Sequence, residues 1–247
     1  MSEIDITYLE ECSKSIGIDL DKRQLCRFLD YYHLLIEYNE KINLTAITKW
    51  EDVVIKHFVD SMSLVKVYGS LDKLEDSTKD KKLADIGTGA GFPGIALKIL
   101  LPDLNITLID SLEKRIRFLN VVCDKLELKG INAVHGRVED LAHDIDFREK
   151  FDFATARAVA ALPVLSEYCI PFIKKDGFFF AYKSEKAEEE ISLSNNALKI
   201  LNSKIENFCE FDIPNTDFHR TIIVIRKEEN TSDKYPRKSG TPSKKPL

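Results

Sequence analysis

Apolar residues in the first third of the chain recur at helical spacing: Leu25, Phe28, Leu29, Tyr32, Leu35 and Ile36, then Val53, Val54, Phe58, Leu64 and Val65. Repeats of three and four residues place such positions on one face, so a helical module is predicted over residues 1–71. Residues 72–82 are polar and charged and offer little apolar surface to pack, which predicts a linker. From residue 83 the pattern changes to short apolar runs at 83–86, 106–109, 133–135, 151–155 and 178–182, separated by amphipathic segments such as 112–128. Alternation of this kind predicts a parallel sheet wound with helices.

After Lys183 the rhythm breaks. A helix is predicted near 187–201, then a strand at 205–211 and a second at 221–225 that can pair with it antiparallel. The fold class expected is therefore α/β over residues 83–227. A seven-stranded, mostly parallel Rossmann-like sheet ends in an antiparallel hairpin, the build of class I S-adenosylmethionine (SAM) methyltransferases, with the helical module ahead of it. Residues 228–247 contain Pro236, Gly240, Pro242 and Pro246 and are expected to be a flexible, extended tail.

Composition sharpens this picture at two points. The net charge of −5 conceals a basic end: residues 234–247 hold Lys234, Arg237, Lys238, Lys244 and Lys245 and no acid, and without those five cations −5 becomes −10. The chain is an acidic body with a basic tail, and the tail is the natural contact for phosphates. The five cysteines form no C-x-x-C pair, so neither a metal knuckle nor a redox dithiol is expected. The first residues, with Glu3 and Asp5, carry no apolar run of signal-peptide length. A cytoplasmic monomer without a membrane span or a metal is expected.

The candidate chemistry begins at Asp85-Ile86-Gly87-Thr88-Gly89-Ala90-Gly91-Phe92-Pro93-Gly94, where an apolar strand runs into a helix starting near Pro93. Glycines there let a ligand approach the backbone. Alone they decide little, because Gly89-x-Gly91-x-x-Gly94 also satisfies the dinucleotide fingerprint. Two features favour a sulfonium cofactor over a nicotinamide one. Asp85 would sit unfavourably beside a pyrophosphate but favourably beside a cationic sulfonium and amino group. Only about ninety residues follow Arg157, too few for a dehydrogenase's substrate domain. Asp110 closes the next strand, where a carboxylate can accept both ribose hydroxyls in either class. Val138 and Glu139, after the third strand, stand where an adenine would lie, although a solvated helix cap also fits Glu139 and Asp140.

On the substrate side, Ala156-Arg157-Ala158 ends the fourth strand where enzymes methylating exocyclic amines carry an acid or amide followed by Pro-Pro and an aromatic. That motif is missing. A guanine N7 has a free in-plane lone pair and needs no base, so catalysis would rest on positioning and desolvation. Arg157 could hold the cofactor carboxylate, the target phosphate or base, or an ordinary ion pair at the sheet edge. Lys183 and His57 are further substrate-side candidates, with a surface lysine and a structural histidine as the plain alternatives.

Six segments stand in order: Asn39–Thr45 (NEKINLT), Lys56–Ser61 (KHFVDS), the loop at 85–94, Leu108–Leu119 (LIDSLEKRIRFL), Gly136–Asp140 (GRVED) and Ala156–Ala158. Together they resemble the RsmG family, also called GidB, from about Tyr38 to the end, and the KYPRKSGTP ending is similar to its Gram-positive members. The resemblance implies an enzyme transferring the methyl of S-adenosylmethionine to N7 of guanine 527 in 16S rRNA, on free RNA or on the small ribosomal subunit or its precursor. It implies cofactor contacts at Gly87, Phe92, Asp110, Ser111, Leu112, Val138, Glu139 and Arg157, to which the loop adds Gly89 and Gly91, and no side chain as general base.

Overall fold

A computed structural model describes residues 4–184, 187–213 and 216–247; Glu3 lies outside them. Among the described residues seven strands form one sheet: β1 Lys82–Ile86, β2 Asn105–Asp110, β3 Ile131–His135, β4 Phe151–Arg157, β5 Ile173–Lys183, β6 Ser203–Asp212 and β7 His219–Lys227. Their order is β3-β2-β1-β4-β5-β7-β6. Strands β1 to β5 pair in parallel, while β7 runs antiparallel to both β5 and β6. The order reverses between β1 and β4, so the carboxyl ends of β1, β2 and β4 open on a crevice where α/β sheets bind ligands. Every apolar run expected to be a strand is one.

The first long helix, Lys22–Ile42, starts on a capping box in which Asp21 accepts from the Gln24 N–H and the Gln24 side chain reaches back to the Asp21 N–H. The helix packs on the helices Gly94–Leu100 and Glu113–Lys125, and its buried residues are Leu25, Phe28, Tyr31 and Leu35. They share one hydrophobic core with Phe58, Leu83, Leu108 and Phe180. The opposite face of the sheet, with Ala84, Ala154, Phe179 and Ile223, packs on Leu162–Cys169 and the helices after β5. The helical module thus packs together with the helices Gly94–Leu100 and Glu113–Lys125 on one of the two faces of the sheet. At Val54–Val59 its backbone widens into a π-helical turn, a local irregularity that often accompanies functional positions.

The tertiary structure corrects the expectations for three segments. The presumed linker contains a helix, Leu71–Thr78, whose N-terminus is capped by Ser70 and which buries Leu74 and Thr78. Leu71, Leu74 and Thr78 lie three and four residues apart, and this narrow stripe suffices despite the charged composition around it. The helix expected near 187–201 is two, Ala187–Leu193 and Asn195–Ile200, with buried Ser194 between them. The third correction concerns the tail, which is folded back onto the body. Arg148 donates to the carbonyls of Thr231, Ser232 and Tyr235 at 2.7, 3.1 and 2.9 Å. Arg237 forks onto Glu167, and Pro236 and Pro242 are buried. Proline and glycine here shape a fitted path. None of the described helices is long and apolar enough to cross a membrane.

Candidate functional site

The glycine loop is built by backbone demands that differ from one glycine to the next. Gly87 lies at φ +68°, and a Cβ there would come within 2.7 Å of Val159 Cγ2, so a side chain would close the gap between loop and strand end. Gly91 lies at φ +102°, where a Cβ would meet Ile95 Cδ1 and Tyr31 Oη, each at 2.6 Å. It is a packing glycine that lets the helical module seat against the loop. Tyr31 completes that seat by donating to the Ala90 carbonyl at 2.5 Å.

Asp85 does not face the crevice. It is fully buried, and its Oδ2 accepts from Thr88 Oγ1 at 2.6 Å and the Gly94 N–H at 2.8 Å. It staples the two ends of the loop together. Burial pushes its carboxyl up to about 6, against those two hydrogen bonds, because the charged form loses water it cannot replace.

At the ends of β1, β2 and β3 lies a cavity of about 260 Å³ that brings together Gly87, Asp110, Ser111, Val138 and Glu139. Asp110, only 4% exposed, accepts through Oδ2 from the Gly89 N–H at 3.0 Å and Arg115 Nη1 at 3.1 Å, and through Oδ1 from the Leu112 N–H at 2.9 Å. Gly89 and Leu112 therefore act by aiming this carboxylate; neither lines the cavity. A carboxylate offers about four acceptor positions. One that is held rigid and still borders a cavity suits a diol such as a ribose. Val138 and Val159 add apolar wall beside Glu139, as a flat heteroaromatic ring requires. Gly136, which the sequence marks only as part of the GRVED segment, also lines this cavity, as do Tyr168, Gly240 and Ser243, none of which the sequence marks as a site residue. Nothing local marks Gly240 and Ser243, which arrive from the tail.

A second, larger cavity of about 750 Å³ adjoins the first across Val159, which lines both. It holds the substrate-side candidates His57, Arg157 and Lys183, and with them Lys56, Asp60, Phe218 and Arg220. Arg157 lies on this side and is not a wall of the smaller cavity. Its Nη1 donates to Asp60 Oδ2 at 2.7 Å and the Lys56 carbonyl at 2.9 Å, its Nη2 to His57 Nδ1 at 3.1 Å, and its guanidinium lies 5.3 Å from the Phe92 ring centre. Asp60 Oδ1 accepts from Arg220 Nε at 2.8 Å. One buried carboxylate thus orients two guanidiniums.

His57 stacks on Phe92 at 4.5 Å and 17° and is lowered to about 3 by burial first and the Arg157 charge second. Its Nδ1 lies 3.1 Å from both Arg157 Nη2 and the Lys56 carbonyl, and its Nε2 lies 3.1 Å from Thr45 Oγ1. A histidine so hard to protonate is a neutral spacer and a poor base. Phe92, like Gly91, is buried against the helical module; it packs against both His57 and Arg157, which meet each other directly. Lys183 is anchored to Glu190 at 2.6 Å and to the Ala160 carbonyl at 2.8 Å, and thereby fixes the loop after β4. Lys56, Arg157, Lys183 and Arg220 outnumber Asp60 and Glu190, so this cavity is cationic on an acidic protein. Asp60 sits one helical turn from His57 in the KHFVDS segment, a spacing that could have flagged it. Arg220 carries no local signal at all.

Residues 24–218 match the GidB family, described as rRNA small subunit methyltransferase G. A protein of Lachnoclostridium phytofermentans named "Ribosomal RNA small subunit methyltransferase G" is 52% identical, covering 95% of this chain and 94% of its own. One of the same name from Acetivibrio thermocellus is 49% identical, covering 97% and 95%. Among solved structures, M. jannaschii TYW2 in complex with AdoMet aligns with a TM-score of 0.50 at 13% identity, over 64% of this chain and 74% of that one, a likeness of fold. With a family match over most of its length and relatives about half identical from end to end, the chain belongs to the GidB family of small-subunit rRNA methyltransferases.

Proposed function

We propose that this protein transfers the methyl group of S-adenosylmethionine to N7 of guanine 527 in 16S rRNA. The observation that carries this reading is the pair of adjoining cavities, one acidic and apolar, one cationic, that meet at Val159. When bound, the cofactor supplies a methyl on a sulfonium, an electrophile that a neutral lone pair can attack. Asp110 holds the ribose, Val138 and Glu139 flank the adenine, and Gly87 leaves room for the amino-acid end; the cradle that a Cβ at Gly87 would fill is the local fit for it.

On the other side, Arg220 and Lys56 meet RNA phosphate, and Arg157, braced by Asp60 and stacked on Phe92, orients the guanine. Exposed Lys234, Lys238, Lys244 and Lys245 extend the phosphate contacts along the tail. His57, neutral to about pH 3, takes no proton, and N7 needs none removed. Rate enhancement then rests on holding N7 in line with the methyl inside a site that excludes water.

The test is to incubate small subunits and free 16S RNA from a strain lacking the enzyme with purified protein and methyl-labelled S-adenosylmethionine, then map the label. Label in N7-methylguanine at position 527 is expected. Label on an exocyclic amine or at another nucleotide, or no label at all, refutes the reading.

A further inference from the structure

We infer that the C-terminal strap, residues 231–247, is the outer wall of the cofactor cavity, and that Gly240 and Ser243 are cofactor-site residues. The inference rests on the reading that S-adenosylmethionine occupies the 260 Å³ cavity, and adds to it an element from the far end of the chain. Gly240 and Ser243 line that cavity together with Asp110 and Gly87. The Gly240 N–H donates to Glu139 Oε1 at 3.0 Å, the carboxylate expected beside the adenine, and Glu139 is only 7% exposed. Ser243 Oγ is 2.9 Å from Tyr168 Oη, which lines the same cavity.

The strap is held there by polar anchors. Arg237 meets Glu167 through Nε at 2.9 Å and Nη2 at 2.6 Å, and its backbone N–H adds a third bond to Glu167 at 2.7 Å. Glu167 is fully buried on the helix Leu162–Cys169, next to Tyr168. A buried carboxylate is unfavourable unless it is paired and hydrogen-bonded, so this helix is committed to holding the strap. Arg148 gathers the carbonyls of Thr231, Ser232 and Tyr235, His143 lies 2.8 Å from the Pro236 carbonyl, and Arg137 reaches Ser239 Oγ at 3.0 Å.

Apart from the two buried prolines and the half-buried Tyr235 and Leu247, the strap has little apolar area to keep it in place. Such a segment opens at low cost compared with the core. Closed, it shields one side of the cavity; open, it lets the cofactor in and out. By linkage, bound cofactor must favour the closed strap as strongly as the closed strap favours cofactor.

The experiment measures S-adenosylmethionine dissociation rate and Kd by stopped-flow fluorescence and calorimetry, without RNA, for the full chain, a chain ending at Thr231, Gly240→Val and Asp110→Ala. At Gly240 (φ +78°) a Cβ meets open space, so valine acts first by straining the backbone that presents the N–H. Both strap variants are expected to dissociate faster by about tenfold or more, with Kd rising in step, since loss of contacts acts mainly on the off-rate. Hydrogen exchange of amides 237–244 is expected to slow when cofactor is added to the full chain. If the truncated chain fails to fold, Gly240→Val decides. Unchanged Kd and off-rate in the strap variants, with Asp110→Ala weakened, overturn the strap inference and leave the cavity assignment standing. Unchanged affinity in Asp110→Ala as well overturns the cavity assignment, and the inference with it.

Discussion

Replacing Asp60 with alanine is expected to destabilise the protein by about 3 kcal/mol, far more than a surface ion pair would account for. The carboxylate is 6% exposed in its side chain and faces two guanidiniums, Arg157 at 2.7 Å and Arg220 at 2.8 Å, whose side chains are 13% and 21% exposed. After its removal Arg157 keeps the Lys56 carbonyl and His57 Nδ1, and Arg220 keeps the His219 carbonyl. Two charge-assisted hydrogen bonds are lost, each worth about 1.5–3 kcal/mol. Water in the adjoining cavity resolvates part of the freed Arg220 charge, which brings the total to the lower end of that sum. At about 2–4 °C per kcal/mol for a chain of this size, the melting temperature should fall by about 6–12 °C.

Urea unfolding at pH 7 measures the free energy, and a double-mutant cycle with Arg220→Ala isolates the pair; a coupling of about 1 kcal/mol or more is expected for groups in direct contact. Asp60→Asn retains the shape and one acceptor and should recover about half of the loss. A destabilisation of Asp60→Ala within about 0.5 kcal/mol of zero would show that the two arginines are solvated and independent, and would refute the bracing role given to Asp60.

The buried titratable groups set opposite pH slopes. Asp85 is raised from 3.8 to about 6, so the folded state binds the extra proton and stability falls as pH rises through that window. His57 is lowered from 6.5 to about 3, so its contribution rises with pH between those values. The two nearly cancel from pH 4 to 6. Asp85→Asn removes the falling part and should gain stability with pH across that window at about 1.4 kcal/mol per pH unit relative to wild type; parallel profiles in urea refute the buried-acid assignment. Gly91→Ala should cost about 3 kcal/mol, from overpacking against Ile95 and Tyr31 plus backbone strain, whereas Gly89→Ala, whose Cβ meets only the Gly87 carbonyl oxygen at 3.9 Å, should cost about 1. Equal melting temperatures for the two variants would contradict the packing role of Gly91.

Much of this protein is legible in local order. The apolar runs mark every parallel strand, since a buried strand needs only its own residues to be recognised, and the break in rhythm after Lys183 marks the antiparallel hairpin. The loop at 85–94 and Asp110 mark the crevice proposed for the cofactor because strand, glycine turn and terminal carboxylate are neighbours in sequence. Where composition outweighed phase, the reading failed: a charged stretch hid the Leu71–Thr78 helix, and the prolines of the tail stood for disorder when they shape a docked strap.

Asp85 shows a different failure, for its position was visible while its direction was not. Only the packed loop turns it inward to Thr88 and Gly94. The bridge from Asp60 to Arg157 and Arg220, the fork of Arg237 on Glu167, and the Gly240 bond to Glu139 join residues 70 to 160 positions apart. Periodicity and motif spacing report on neighbours a few residues away along one element. Which side chain meets which across the crevice depends on how the sheet, the helical module and the strap close on one another, and that was decided by the tertiary structure alone.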